Sequence, residues 1–256
     1  MRNFVTILAL SALLAGCAST PTSEGPNVPE PAQGNAALSA RIHTELAAGY
    51  YTRGQLGVAL QELNIALKAE PRYGPAYNVR GLVYAELGEK GLAEESFKRA
   101  LEINPQDSDA HNNYGLFLCR NQREEEAIQH FLQALKNPLY QTPDLSYVNA
   151  GICARQKGDN KRAEEFFTRA LRIQPNNTQA LVGMARLSQE QGRVEDAHNY
   201  LTRFMQLGQA DADTLLLGVR IERQRGDREA EASYRSQLRN RFPQSKEAKL
   251  VESGQF

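Results

Sequence analysis

Small, aromatic and aliphatic residues recur along this chain every 34 residues, with polar residues at the positions between them. The best-preserved copy of the pattern consists of Tyr77, Gly81, Tyr84, Gly88, Ala93, Phe97, Ala100 and Pro105. Small residues allow two antiparallel helices to approach closely, aromatic rings fill the space between neighbouring hairpins, and Pro stops the second helix. The pattern therefore predicts an all-α chain of helical hairpins.

Five further copies can be aligned with this one. The fourth copy is also well preserved, whereas the third has its closing Pro138 one place early and an insertion around Thr142 and Pro143. The fifth copy lacks the final Pro, and the sixth has a displaced second helix, as expected of a terminal capping repeat. A hairpin of this length and pattern is typical of tetratricopeptide repeats.

We therefore predict a right-handed superhelix of about six tetratricopeptide repeats over residues 37–247, followed by a C-terminal tail at 248–256. The repeats are expected near 40–73, 74–107, 108–141, 144–177, 178–211 and 212–245.

The first helix of each repeat should line the concave wall of the stack, because each hairpin buries its apolar face only against its neighbours. This wall is the expected binding surface, and its mixture of apolar and polar side chains suits an amphipathic helix or an extended peptide. For any single residue, packing inside the stack is the alternative. The candidate groove residues are Tyr51, Asn78, Leu82, Asn112, Leu116, Arg120, Val148, Ile152 and Arg155.

The N-terminus resembles a signal peptide, because Arg2 precedes an uncharged apolar stretch over residues 4–16. That stretch is shorter than the roughly 20 residues of a membrane-spanning helix. It ends in Leu-Ala-Gly before Cys17, which resembles the lipobox of bacterial lipoproteins; an ordinary cleaved signal with an incidental Cys is the alternative. We predict a signal peptide over 1–16, a lipidated Cys17, and a flexible tether over 17–36 that is rich in Pro, Ser and Thr.

The residue after Cys17 is Ala18. In the lipoproteins that this segment resembles, Asp at that place retains the protein at the inner membrane. The resemblance therefore implies an outer-membrane protein that faces the periplasm.

The remaining composition argues against chemistry and against nucleic acid. Lys and Arg balance Asp and Glu at 30 each, and Trp is absent, so neither charge nor stacking favours DNA or RNA. Acidic clusters lie among basic residues, and no His stands beside Cys or carboxylates at metal-ligand spacing. We expect no catalytic residue, no metal and no cofactor, and therefore no enzyme.

Cys119 and Cys153 lie on the predicted first helices of adjacent repeats. In an oxidising periplasm we expect them to form a disulfide. Two buried thiols that merely pack together are the alternative.

Three segments resemble the type IV pilus biogenesis lipoproteins of the PilF and PilW family: residues 112–119 (NNYGLFLC), 138–140 (PLY) and 215–220 (LLLGVR). The similarity extends from residue 17 to about 247. It implies a pilotin, which helps the pilus secretin reach the outer membrane and assemble there, or a factor that stabilises the pilus. The alternative is another outer-membrane adaptor, for barrel assembly or peptidoglycan machinery. The implied partners are the secretin, held as a protein or peptide ligand in the groove, and the membrane, reached through Cys17.

Overall fold

The structure of the protein, a computed structural model, describes residues 33–254, and this range holds thirteen α-helices and no β-strand. The predicted signal peptide, Cys17 and most of the predicted tether lie outside the described residues. The helices are α1 (Gln33–Thr52), α2 (Leu56–Ala69), α3 (Gly74–Glu86), α4 (Lys90–Ile103), α5 (Ser108–Arg120), α6 (Glu124–Ala134), α7 (Pro143–Gln156), α8 (Asn160–Ile173), α9 (Thr178–Glu190), α10 (Val194–Met205), α11 (Ala212–Arg225), α12 (Arg228–Arg241) and α13 (Lys246–Ser253).

The helices from α1 to α12 form successive hairpins, so the predicted all-α repeat architecture is confirmed. The two ends differ in detail from the prediction. α1 already begins at Gln33, within the segment assigned to the tether, and α13 occupies most of the segment assigned to the C-terminal tail. α13 packs against α11 and α12 and thereby covers the end of the stack. No helix among residues 33–254 is long and apolar enough to cross a membrane.

Each well-preserved hairpin is closed by an aromatic ring on the second helix that packs against a glycine on the first. Phe97, Phe131 and Phe167 are fully buried in this way. A Cβ atom added at Gly151 would lie only 2.7 Å from Cε1 of Phe167. Only glycine therefore allows the two helices to approach this closely around the ring.

The turn between the two helices of a hairpin needs a left-handed residue, and glycine provides it in five hairpins, with φ between +71° and +82° at Gly54, Gly88, Gly158, Gly192 and Gly226. The third hairpin uses Gln122 instead, at φ 61°. The same repeat also has a short second helix, α6, and a long connection over residues 135–142. The insertion expected near Thr142 lies in this connection, which presents Leu139 with 78% of its surface exposed.

The order of helix contacts shows how the stack curves. Each first helix approaches the first helix of the next repeat, from α1 and α3 through to α9 and α11. Second helices of successive repeats do not approach one another anywhere in residues 33–254. The first helices therefore lie closer together and form the inner wall, as predicted.

Ion pairs on the second-helix side connect each repeat from the second onward to the next. They join Glu94 to Arg123 (3.0 Å), Glu125 to Arg162 (2.8 Å), Glu164 to Arg193 (2.9 Å) and Glu195 to Arg225 (3.1 Å). Hydrogen bonds from Lys98, Arg123 and Tyr114 lower the pKa of the Glu94 carboxyl to about 2. Acidic clusters that look like an ordinary solvated face in the sequence thus also hold the repeats in register.

Candidate partner-binding surface

The inner wall is organised around the contact line between adjacent first helices. In the second, third, fourth and sixth repeats, a glycine of the first helix faces an aromatic ring of the second helix, for example at Gly115 or Gly151. Ala47 and Ala185 occupy the equivalent position in the first and fifth repeats. The side chain four residues after this position and the side chain two residues after the same position of the next repeat are Cys119 and Cys153 in the third and fourth repeats, where a disulfide joins them. In the other repeats the equivalent pairs are Tyr51 with Val83, Ala85 with Phe117, Arg155 with Leu187, and Gln189 with Arg220.

An N-terminal cavity of about 230 Å³ lies on the inner wall of the first three repeats. Four of the predicted groove residues line it: Tyr51, Leu82, Leu116 and Arg120. Phe117 and Asn113 contribute to the same lining and were not among the candidates. The cavity thus has an apolar floor and a charged rim.

A C-terminal cavity of about 530 Å³ lies between the fourth repeat and the sixth. The predicted residues Ile152 and Arg155 line it, together with Val182, Arg186 and Asp213. Sequence reasoning missed these last three because it named no groove residue beyond the fourth repeat. The 34-residue period was the available signal, since it relates Val148 to Val182 and Ile152 to Arg186.

The two arginines of the C-terminal cavity are held by acids of the next repeat. Arg155 pairs with Glu190 at 2.7 Å, and Arg186 pairs with Asp213. Each pair spans two adjacent first helices, so it fixes the position of a positive charge at the cavity rim.

Three predicted groove residues line neither cavity. The prediction is wrong for Val148, which is 0% exposed in the core, and for Asn78, which is 7% exposed and accepts a hydrogen bond from Asn113 (3.2 Å). Asn112 is half-buried and accepts hydrogen bonds from Ser146 (2.9 Å) and Asn149 (3.0 Å). The three residues occupy the same position of their repeats, and at Asn78 and Asn112 the first helix of the next repeat supplies the hydrogen-bond donors.

The structure joins Cys119 and Cys153 by a disulfide, with their Cα atoms 5.8 Å apart. Cys119 follows the N-terminal cavity residue Leu116 by one helical turn, and Cys153 is next to Ile152 of the C-terminal cavity. The bond therefore lies on the inner wall between the two cavities and links α5 to α7.

Histidine side chains form pairs inside the stack. Nδ1 of His111 lies 2.9 Å from Nδ1 of His130, and Nε2 of His111 lies 3.0 Å from the Pro105 carbonyl. Burial, together with the neighbouring His111, lowers the pKa of His130 to about 4. His43 and His198 instead pair with the carboxylates of Glu62 and Glu222. Within residues 33–254, no group of three His, Cys, Asp or Glu residues could hold a metal ion.

Comparison with known proteins places these features in a wider context. Tetratricopeptide-repeat models match residues 74–107, 96–129 and 154–215. The type IV pilus assembly protein PilF of Pseudomonas aeruginosa is 30% identical over 205 residues, which is 80% of this chain and 81% of PilF.

Two solved structures share both the fold and the sequence. The crystal structure of PilW, described as a widely conserved type IV pilus biogenesis factor, superimposes with a TM-score of 0.77 at 35% identity, covering 83% of this chain and 97% of PilW. The structure of Pseudomonas aeruginosa PilF superimposes with a TM-score of 0.77 at 30% identity, covering 86% of this chain and 99% of PilF.

Proposed function

Because this chain belongs to the family of type IV pilus tetratricopeptide-repeat proteins that includes PilF and PilW, we propose that it is a pilotin. In this role it is an outer-membrane lipoprotein that holds a segment of the pilus secretin and assists assembly of the secretin multimer. The secretin and the membrane anchor are inferred from the sequence motifs and from the family resemblance.

The observation that carries the proposal is the pair of cavities along one inner wall. The N-terminal cavity offers Leu82 and Leu116 as apolar contacts and Arg120 as a charged one. The C-terminal cavity offers Ile152 and Val182 beside Arg155. Apolar pockets with a few charged groups at the rim bind peptide segments, because side chains enter the pockets while the charged groups set orientation.

Lipidation at Cys17 would keep this wall near the membrane. Sixteen residue steps separate Cys17 from Gln33, the first residue of α1. A fully extended segment of that length spans about 50 Å at roughly 3.3 Å per residue. The start of the repeat stack would thus lie within about 50 Å of the outer membrane, where the secretin must assemble.

The experiment is capture of detergent-solubilised secretin by the purified, tagged chain. We expect the wild type to capture secretin and the double variant Leu116→Asp with Arg120→Glu to lose at least about tenfold in affinity, since it removes an apolar contact and reverses a charge at one cavity. The matched control is Leu92→Asp with Arg72→Glu, which changes two exposed residues outside both cavities in the same way.

Circular dichroism of both double variants shows whether the helices are retained. Failure of the wild type to capture secretin would contradict the pilotin proposal. Equal capture by the wild type and the groove variant would place the secretin site elsewhere on the chain.

A further inference from the structure

The last contact line of the inner wall differs from the others in its chemistry. In the second to fifth repeats, the residue two positions after the small residue is apolar or carries sulfur. These residues are Val83, Phe117, Cys153 and Leu187. The equivalent residue in the sixth repeat is Arg220, which faces Gln189 of the fifth. A guanidinium group thus stands where the other repeats bury an apolar side chain.

Arg220 opens onto a hollow of about 330 Å³ that is lined by Gln189, Arg220, Arg223 and Gln224. Every one of these side chains carries N–H donors, and no carboxylate from residues 33–254 lines the hollow. Arg223 is engaged by Glu231 at 3.2 Å, on the side of α12. Arg220 is half-buried and has no hydrogen-bond or ion-pair partner among residues 33–254.

This absence is informative, because two other arginines of the same wall are paired and Arg120, which like Arg220 has no partner among residues 33–254, is exposed where Arg220 is half-buried. Arg155 and Arg186 each hold an acid of the next repeat. Glu222, the nearest acid on α11, is directed instead to His198 (2.7 Å) and Arg225 (2.7 Å). The half-buried guanidinium of Arg220 is therefore free to bind a carboxylate of a partner molecule. Such a pair forms bidentate, charge-assisted hydrogen bonds, which are stronger where little water competes for them.

We infer that this hollow is a carboxylate-binding subsite for an Asp or Glu side chain of the segment bound along the inner wall. The inference rests on the proposed peptide-binding function and specifies its partner. Arg186 of the C-terminal cavity and Gln189 of the hollow are one helical turn apart on α9, about 5 Å along the axis. The bound segment therefore carries an apolar side chain in the C-terminal cavity and an acidic side chain within a few residues of it.

The direct test uses a defined probe and the full mature chain. Fluorescence anisotropy would follow binding of a labelled hexaglutamate peptide with blocked termini, with a blocked hexaglutamine peptide for comparison. We expect Arg220→Gln to weaken hexaglutamate binding about tenfold, as loss of a charge-assisted contact does, and to leave hexaglutamine unchanged. The control is Arg228→Gln, an exposed arginine on the outer helix of the same repeat.

Three results would overturn the inferred subsite. They are an unchanged affinity of Arg220→Gln for hexaglutamate, and a loss of affinity in Arg228→Gln as large as that in Arg220→Gln. The third is hexaglutamine with a free C-terminal carboxylate binding as tightly as blocked hexaglutamate, since the hollow would then bind a chain terminus and not a side chain. Secretin capture by the same variants separates this inference from the proposed function. If the chain binds hexaglutamate through Arg220 but captures no secretin, the subsite is supported and the pilotin proposal is contradicted. If the chain captures secretin equally well with and without Arg220→Gln, and its hexaglutamate affinity is also unchanged, the subsite is contradicted and the pilotin proposal is supported.

Discussion

Reduction of the disulfide between Cys119 and Cys153 should destabilise the centre of the stack without removing a packed side chain. The two residues are 34 positions apart, and both are buried in the same hydrophobic cluster as Phe131 and Phe167. Reduced thiols keep nearly the same volume, so the packing around them changes little. The difference between the oxidised and reduced chains therefore isolates the effect of the cross-link.

The size of the effect follows from the closed loop. A cross-link over 34 residues lowers the chain entropy of the unfolded state by about 13 cal/mol/K in the loop-closure model, which is about 4 kcal/mol at 25 °C. The third and fourth repeats share the bond, so both must unfold before this entropy is released. We expect reduction to lower the free energy of unfolding by up to about 4 kcal/mol.

The assay is urea unfolding of the wild type with and without reductant, followed by circular dichroism. Intact mass should increase by about two hydrogens on reduction, since one S–S bond becomes two thiols. The variant Cys119→Ala with Cys153→Ala is the matched control, because its unfolding midpoint should not respond to reductant. An unchanged mass, or an unfolding midpoint that reductant does not move in the wild type, would refute the reasoning.

Three further predictions concern packing, pH and the anchor. Gly151→Ala should cost about 1–3 kcal/mol of stability, because its methyl group would lie 2.7 Å from the Phe167 ring. The control is Gly49→Ala in α1, whose methyl group would have the Arg53 side chain at 3.6 Å as its nearest contact among the described residues and which should stabilise the chain by up to about 1 kcal/mol. Thermal unfolding measures both variants, and equal effects on stability would contradict the packing account. Because the folded chain holds the pKa of His130 at about 4, below the value of about 6.5 in the unfolded chain, the unfolded state binds the extra proton and stability should fall as pH drops from 6.5 to 4. Urea midpoints over this range should fall less in His130→Gln, and an identical pH dependence would exclude the histidine pair as the cause. Cys17→Ala should release the chain from the membrane fraction into the soluble periplasmic fraction, and unchanged fractionation would contradict the lipobox interpretation.

The repeat architecture could be predicted from the sequence because its physical causes are local. A glycine that admits a ring, as at Gly151, and a proline that stops a helix recur at fixed spacing, and each specifies one feature of a hairpin. The ends were harder to predict, since α13 forms where its apolar residues pack on α11 and α12, a contact that no repeat pattern encodes.

The inner wall was predictable only in part, because exposure there depends on the neighbouring repeat. Leu82, Leu116 and Ile152 line cavities as expected, yet Val148, one helical turn before Ile152, is fully buried in the core. Pairing of charges is likewise a property of two repeats together. The sequence therefore could not show that Arg186 is paired with an acid of the next repeat whereas Arg220 has no partner among residues 33–254.

The measurement that tests the account most directly is the outer-membrane content of heat-resistant secretin multimers in a deletion strain, with and without the intact gene returned. The pilotin proposal predicts that deletion removes the multimers, that secretin monomer accumulates, and that the intact gene restores assembly. Normal multimers in the deletion strain would contradict it and would direct attention to pilus stability or to another envelope adaptor.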